Sequence, residues 1–186
     1  THVSALPKET MRMSRAVDAV CVQEYDYTLR DLAKELAGKK PALEKVRGIA
    51  FRQGKKIVLN PLREKIQDLD TLPFVSAVYK KHLNYRDYFY SANLYPEIAI
   101  LAGRGCPYKC KFCNWVQNLN TGPCRKRSVA NVIGELKFIG ESFPSVKEVF
   151  FEDDTFTADA ERVGGFCRAK LEAGIKVKWS CNARAD

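Results

Sequence analysis

Apolar positions change their spacing several times along this chain, and each change predicts an element. VDAVCV (17–22) is a short continuous apolar run and predicts a buried strand. QEYDYTLRDLAKELAG (23–38) follows, with Leu29, Leu32, Ala33 and Leu36 at helical spacing and Gly38 placed to stop the helix. VRGIAFRQGKKIVLNP reads as two strands around a turn at Gln53-Gly54, a hairpin. From Pro61 to Pro96 the periodicity is lost. That stretch scatters Pro, Asp and Asn among seven aromatics (Phe74, Tyr79, Tyr85, Tyr88, Phe89, Tyr90 and Tyr95) and predicts an irregular linker packed along a neighbouring domain.

Beyond Pro96 strand and helix patterns alternate. EIAILA (97–102) is apolar throughout, as in a parallel strand buried on both faces. Ser128 is placed to cap a helix whose Val129, Val132, Ile133, Leu136 and Ile139 share one face. VKEVFF (146–151) predicts the next strand and ends abruptly in Glu-Asp-Asp. Thr157 is the expected cap of a second helix carrying Val163, Cys167 and Leu171 on one face, with Gly174 as terminator. VKWSC (177–181) predicts a third strand. The alternation implies an α/β fold with a parallel sheet, open or rolled into a barrel. In both architectures chemistry gathers at the C-terminal ends of the strands. Here those ends are a cysteine-rich loop, EDDTF and NARAD, all polar or ligating.

Composition narrows the setting. The 186 residues are 46% hydrophobic and 28% charged, ordinary globular usage that excludes wholesale disorder. No apolar run approaches the roughly 18 residues of a membrane helix, and the first residues lack the pattern of a signal peptide. The net charge of +9 divides as +5 over residues 1–97 and +4 over 98–186, so no basic tail or module marks a nucleic-acid partner. Seven cysteines, an odd number in a leaderless chain, point to a reducing compartment and a cytoplasmic location.

Three of those cysteines crowd into eight positions: Cys106, Cys110 and Cys113 in GRGCPYKCKFCNW, spaced C-x3-C-x2-C and flanked by Lys109, Lys111 and Arg125-Lys126-Arg127. Zinc closed by Cys124 as a fourth ligand is one reading, although the spacing is not that of paired knuckles and Cys124 follows a Gly-Pro turn. A reactive-thiol site would need a base, and the chain's histidines are His2 and His82 alone. An iron–sulfur cubane gripped at three corners leaves one iron for a small molecule, as a catalytic cluster requires.

The C-x3-C-x2-C spacing, Phe112 before the third cysteine, and the place of the loop after the first strand of a repeated strand–helix unit resemble the radical S-adenosylmethionine superfamily. GRGCPYKCKFC, RKRS, FFEDDTFT and W…NARAD together look like its cobalamin-binding-domain-containing members, the grouping of anaerobic magnesium-protoporphyrin ester cyclases and hopanoid-biosynthesis enzymes. The resemblance implies a 4Fe-4S cluster on Cys106, Cys110 and Cys113, with S-adenosylmethionine chelating the open iron and being cleaved reductively to start radical chemistry such as methylation or cyclisation. It places Phe112 on the adenine side, Asp153 and Asp154 at the methionine amino group in place of the Gly-Gly-Glu run of many members, and Arg184 at the methionine carboxylate. It divides the chain into a remnant of a doubly wound cobalamin-binding-like domain (1–40), a hairpin and aromatic linker (41–96), and the first half of a partial (β/α) barrel (97–186). The D-x-H-x-x-G loop that ligates cobalt from below is absent from the chain, so cobalamin is expected only with the full-length protein. The implied partners are a small-molecule substrate, an electron donor such as flavodoxin or ferredoxin, and further chain segments that complete the barrel. Without them, strand 177–181 is expected to be an exposed apolar edge. The rival reading is a zinc or iron–sulfur RNA-binding module, or a protein like the tRNA methylthiotransferases.

Overall fold

The computed structural model describes residues 2–114 and 123–185. Gly122, before Pro123 and Cys124, and Asp186, at the end of NARAD, lie outside the described residues. Two compact units separate: residues 2–66 with 109–114, and residues 67–108 with 123–185.

In the first unit, α1 (His2–Ala5) and α2 (Pro7–Met13) precede β1 (Ala19–Cys21), and α3 (Asp26–Leu36) precedes the hairpin β2 (Ile49–Gln53) and β3 (Lys56–Leu59). The hairpin turns over Gly54 and Lys55, where Gly54 takes a φ of 61°, a conformation that favours glycine. β1 joins the same sheet antiparallel to β2, Val20 opposite Ala50, giving the order β1-β2-β3. Met11, Val20 and Ala50 form one small buried cluster; Val46, Ile49 and Phe51 form another. Helix α3 appears where its periodicity predicts, but its apolar stripe is not a buried face. Leu29 and Leu36 are more than half exposed, Leu32 alone of the stripe's leucines packs on a buried cluster, and Thr28 is the helix's only buried residue. The Thr28 hydroxyl accepts from Arg63 Nε at 3.1 Å and donates to the Arg47 carbonyl at 3.3 Å, so α3 is tied down by polar contacts as well as by packing.

The second unit is α/β. Strands β4 (Glu97–Ile100), β7 (Glu148–Phe151) and β8 (Lys178–Cys181) form a parallel sheet in that order, with Ala99, Phe150 and Ser180 in register. Strands β5 (Gly103–Arg104) and β6 (Arg125–Lys126) make a short antiparallel ribbon at the base of the cysteine loop. Helices α5 (Val129–Ser142) and α6 (Ala160–Glu172) follow β6 and β7. Side chains alternate along the strands, so Ile98, Ile100, Val149 and Phe151 enter a core with Val132, Leu136 and Ile139 of α5 and Phe166 of α6. Phe151 is its aromatic centre, with Phe156, Phe166 and Trp179 at centroid distances of 4.7, 5.4 and 5.8 Å. β8 lies at an edge of the described sheet.

Ser128 caps α5 as its position predicts, accepting from the Asn131 amide at 3.1 Å. Thr157 does not cap α6. Residues Phe156–Ala158 form a separate 3-10 turn that buries Phe156, and the cap is Asp159, whose carboxylate accepts from the Arg162 amide at 3.0 Å. A carboxylate at that point also favours the helix dipole, an advantage the threonine lacks. The buried face of α6 centres on Phe166, with Val163 and Cys167 beside it, whereas Leu171 is 79% exposed. The stretch read as irregular contains helix α4 (Val75–His82), which packs on α5 through Phe74 and Phe138. No described helix is long and apolar enough to cross a membrane.

Candidate active site

The carboxyl ends of β4 and β7 meet at one residue, Ala102. Its amide donates to Asp153 Oδ1 at 2.7 Å, and its carbonyl accepts from the Arg127 amide at 2.9 Å and from Arg162 Nη2 at 3.1 Å. Arg162 also reaches the Arg127 carbonyl at 2.9 Å. The strand that launches the cysteine loop is thus fixed by the segments before α5, after β7 and within α6. Arg127 is held in turn by Glu135, a fully buried residue in the middle of α5, with Nη1–Oε2 at 2.5 Å. The other oxygen of Glu135 accepts from the amide and hydroxyl of Ser76 at the start of α4.

Asp153 and Asp154 both face the loop backbone. Asp153 is 6% exposed and holds the Ala102 and Gly103 amides; Asp154 Oδ2 accepts from the Gly105 amide at 3.0 Å. Gly105 has a φ of 97°, a backbone conformation that side chains rarely adopt, so the turn into Cys106 favours glycine, although a Cβ there would make only ordinary contact, 3.4 Å from Cys124 Cα. Cys106 is half-buried, with its Sγ 3.5 Å from Thr155 Oγ1. The Thr155 hydroxyl donates its proton to the Asp154 carbonyl at 2.7 Å, so a neutral Cys106 thiol is the donor of that pair. Past β8, Asn182 Nδ2 donates to the Asp153 carbonyl at 3.2 Å and its own carbonyl accepts from the Phe156 amide at 3.0 Å, joining the second and third strand ends. Arg184 stacks its guanidinium 3.9 Å from the centroid of Tyr108, inside the cysteine loop.

The structure therefore brings Cys106, Asp153 and Asp154 to one strand-end cluster and sets Arg184 on Tyr108. Cys110 and Cys113 are half-buried thiols outside any disulfide, in a turn closed by the Cys113 amide on the Cys110 carbonyl at 3.0 Å. Phe112 between them is 92% exposed. Among the described residues no three His, Cys, Asp or Glu side chains are already gathered to hold a metal ion. The sequence marks Arg127 only as one of the cations flanking the cysteine loop, and singles out neither Thr155 nor Arg162. The only signal of those two was their presence in EDDTF and in the first turn of a helix, a place where a cation opposes the dipole unless it has another partner.

Burial pushes the Asp153 carboxyl up to about 6, against the opposing pull of the Ala102 and Gly103 amides. A carboxyl raised on folding adds stability that is fully present below about pH 4 and is lost as the pH rises through 6. We expect wild-type stability to fall between pH 4 and 6 by on the order of 3 kcal/mol relative to Asp153→Asn, measured by urea denaturation at stepped pH. A flat difference between the two proteins over that interval would contradict it.

No family model matches the chain. It is 30% identical over its full length to an uncharacterized methyltransferase of Pyrococcus horikoshii, of which it covers 39%. It is 26% identical, over 98% of the chain and 29% of the relative, to the anaerobic magnesium-protoporphyrin IX monomethyl ester cyclase of Cereibacter sphaeroides. A 4'-phospho-dehydrooxetanocin synthase of Priestia megaterium is 27% identical over 90% of the chain and 22% of its own length. Its relatives are enzymes. The chain spans about two fifths of the first of them and less of the other two.

Proposed function

We propose that this chain carries the cluster-binding part of a radical S-adenosylmethionine enzyme of the cobalamin-associated type. Residues 97–186 would be the first half of its partial barrel, 41–96 its hairpin and linker, and 1–40 the end of a cobalamin-binding-like domain. The observation that carries the reading is positional. The C-x3-C-x2-C loop leaves the first strand of an in-order parallel sheet at its carboxyl end, and the turn after the second strand meets its first cysteine through Thr155. Relatives named as a methyltransferase, a cyclase and a synthase agree with an enzyme of this kind.

The donor set suits a 4Fe-4S cluster, since Cys106, Cys110 and Cys113 are all unoxidised and accessible, and ligand loops commonly close on their metal only when it binds. When bound, the cluster would supply the electron that breaks the sulfonium C–S bond of S-adenosylmethionine. The chain's residues would position and polarise. An ionised Cys106 has the Thr155 hydroxyl as a donor once that hydroxyl releases the Asp154 carbonyl. Both carboxylates hold loop amides, but Asp153 is buried and Asp154 half-buried, so Asp154 is the more accessible acceptor for the methionine ammonium. Arg184 on Tyr108 keeps a cation beside the loop for the carboxylate. Phe112 offers an exposed ring for adenine. The substrate, the electron donor and any cobalamin belong to the full-length protein. The zinc alternative needs Cys124 as a thiolate, and burial, the largest influence on it, pushes that thiol up.

The test is anaerobic reconstitution with iron and sulfide, followed by electron paramagnetic resonance of the reduced protein with and without S-adenosylmethionine. A four-iron signal that shifts with S-adenosylmethionine and persists in Cys124→Ala is the expected result. Uptake of one zinc instead, abolished by Cys124→Ala, would overturn the reading.

A further inference from the structure

The aromatic stretch before β4 does more than pass along the sheet. The second unit's core occupies only one face of β4, β7 and β8; the opposite face presents Ala99 and Phe150, and over it lies a cavity of about 400 Å³. That volume is in the range of small-molecule sites. Tyr79, Tyr88, Tyr90 and Phe150 supply ring surface to it, Tyr90 and Phe150 with centroids 5.9 Å apart. Among the described residues that line it, the only charged side chains are Glu97 and Glu152. Glu97 is 9% exposed and already accepts from Asn93. Glu152 is exposed, directly after β7, and its charge is felt inside the cavity, where it and burial both push the Tyr79 phenol up. No lysine or arginine is among the described residues that line the space.

Such a lining discriminates by charge. Tyrosine faces and a carboxylate attract cations, and a flat apolar body fits ring walls, whereas an anion would meet two carboxylates in the lining; Arg86, 5.6 Å over the Tyr85 ring, donates to the Ser145 hydroxyl at 3.1 Å. The cavity also reaches the strand ends: Asn182 lines it and bonds the carbonyl of Asp153, the residue that fixes the root of the cysteine loop.

The geometry points to this cavity as a binding site for an organic cation with a flat, apolar body, walled by Tyr79, Tyr88 and Tyr90 and oriented by Glu152. Taking that ligand to be the substrate rests on the enzyme reading above; the binding itself does not.

Two fluorescent dyes of opposite charge test it on the full 186-residue chain: thioflavin T, a flat aromatic cation, and 8-anilinonaphthalene-1-sulfonate, an aromatic anion. We expect saturable thioflavin T binding that weakens roughly three- to five-fold in Glu152→Gln and in Tyr90→Leu, the size of one exposed ion-pair or cation–π contact. The anion should not displace it. Both residues are exposed, so the variants should melt with the wild type, and a shared melting temperature shows that lost binding is local. Absence of saturable binding, unchanged affinity in both variants, or displacement by the anion would each overturn the site. The assay contains neither iron nor S-adenosylmethionine. A failed cluster reconstitution would leave the dye result standing, and failed dye binding would leave the cluster result standing.

Discussion

Glu135→Ala is expected to destabilise the second unit by about 3–5 kcal/mol, the usual cost of stranding one partner of a buried ion pair. Glu135 is fully buried and the side chain of Arg127 is 11% exposed. Without the carboxylate, Arg127 keeps only neutral acceptors among the described residues: Asn131 Oδ1 and the Leu101 carbonyl, each at 2.7 Å, and the Asn131 carbonyl at 3.4 Å. The amide and hydroxyl of Ser76 lose their shared acceptor as well, which detaches the start of α4 from α5. Glu135→Gln should fall between the two, since it keeps an acceptor for Ser76 and removes only the charge. Urea denaturation followed by near-ultraviolet circular dichroism reads the difference. A loss below about 1 kcal/mol for the alanine variant would mean that the pair is not the pin it resembles. The effect should reach the cysteine loop, because the backbone of Arg127 holds the Ala102 carbonyl; iron incorporation should drop in Glu135→Ala even under conditions where the protein stays folded.

Phe151→Ala is expected to cost a similar 3–5 kcal/mol, through lost burial and the cavity left among Phe156, Phe166 and Trp179. Phe112→Ala, the same change at a ring 92% exposed, should stay within about 0.5 kcal/mol of wild type in the same experiment. Similar losses for both would remove the distinction between a core aromatic and an exposed one. On the proposed reading, a Phe112→Ala protein that melts as wild type yet binds S-adenosylmethionine less well would isolate the contribution of that ring.

What the sequence announced was what depends on local pattern. Each of the strands 97–102, 146–151 and 177–181 is a compact apolar run, and the capping serine 128 and terminating Gly174 stand at the ends of regular helical spacing. Helix α4 escaped because it is eight residues long, follows a proline, and owes its place to Glu135, a partner 59 positions from Ser76. The stripe on α3 was legible as a helix but not as an exposed one, since periodicity gives a face without saying what covers it. Thr157 failed as a cap because Phe156 next to it had a core to enter. At the candidate site the cysteines declared themselves by spacing. The carboxylates of Asp153 and Asp154 stood in the right turn, yet their direction, back onto the amides of Ala102 and Gly105, follows from a loop whose path no local pattern encodes. The linker tyrosines read from sequence as packing; that Tyr90 meets Phe150, 60 positions on, is a contact no local pattern encodes.

The way Ala102 is held has a consequence for the chain as it is made. The carboxylate that fixes its amide lies 51 residues later, and the guanidinium that fixes its carbonyl lies 60 residues later. At about 5–20 residues per second, a ribosome completes the cysteine loop several seconds before it adds Arg162. During that interval Cys106 has been synthesised but has neither Thr155 nor a fixed strand beside it. On the proposed reading, a cluster delivered before Arg162 is made would find the cysteines without a frame, so delivery after that point is the order that this architecture favours.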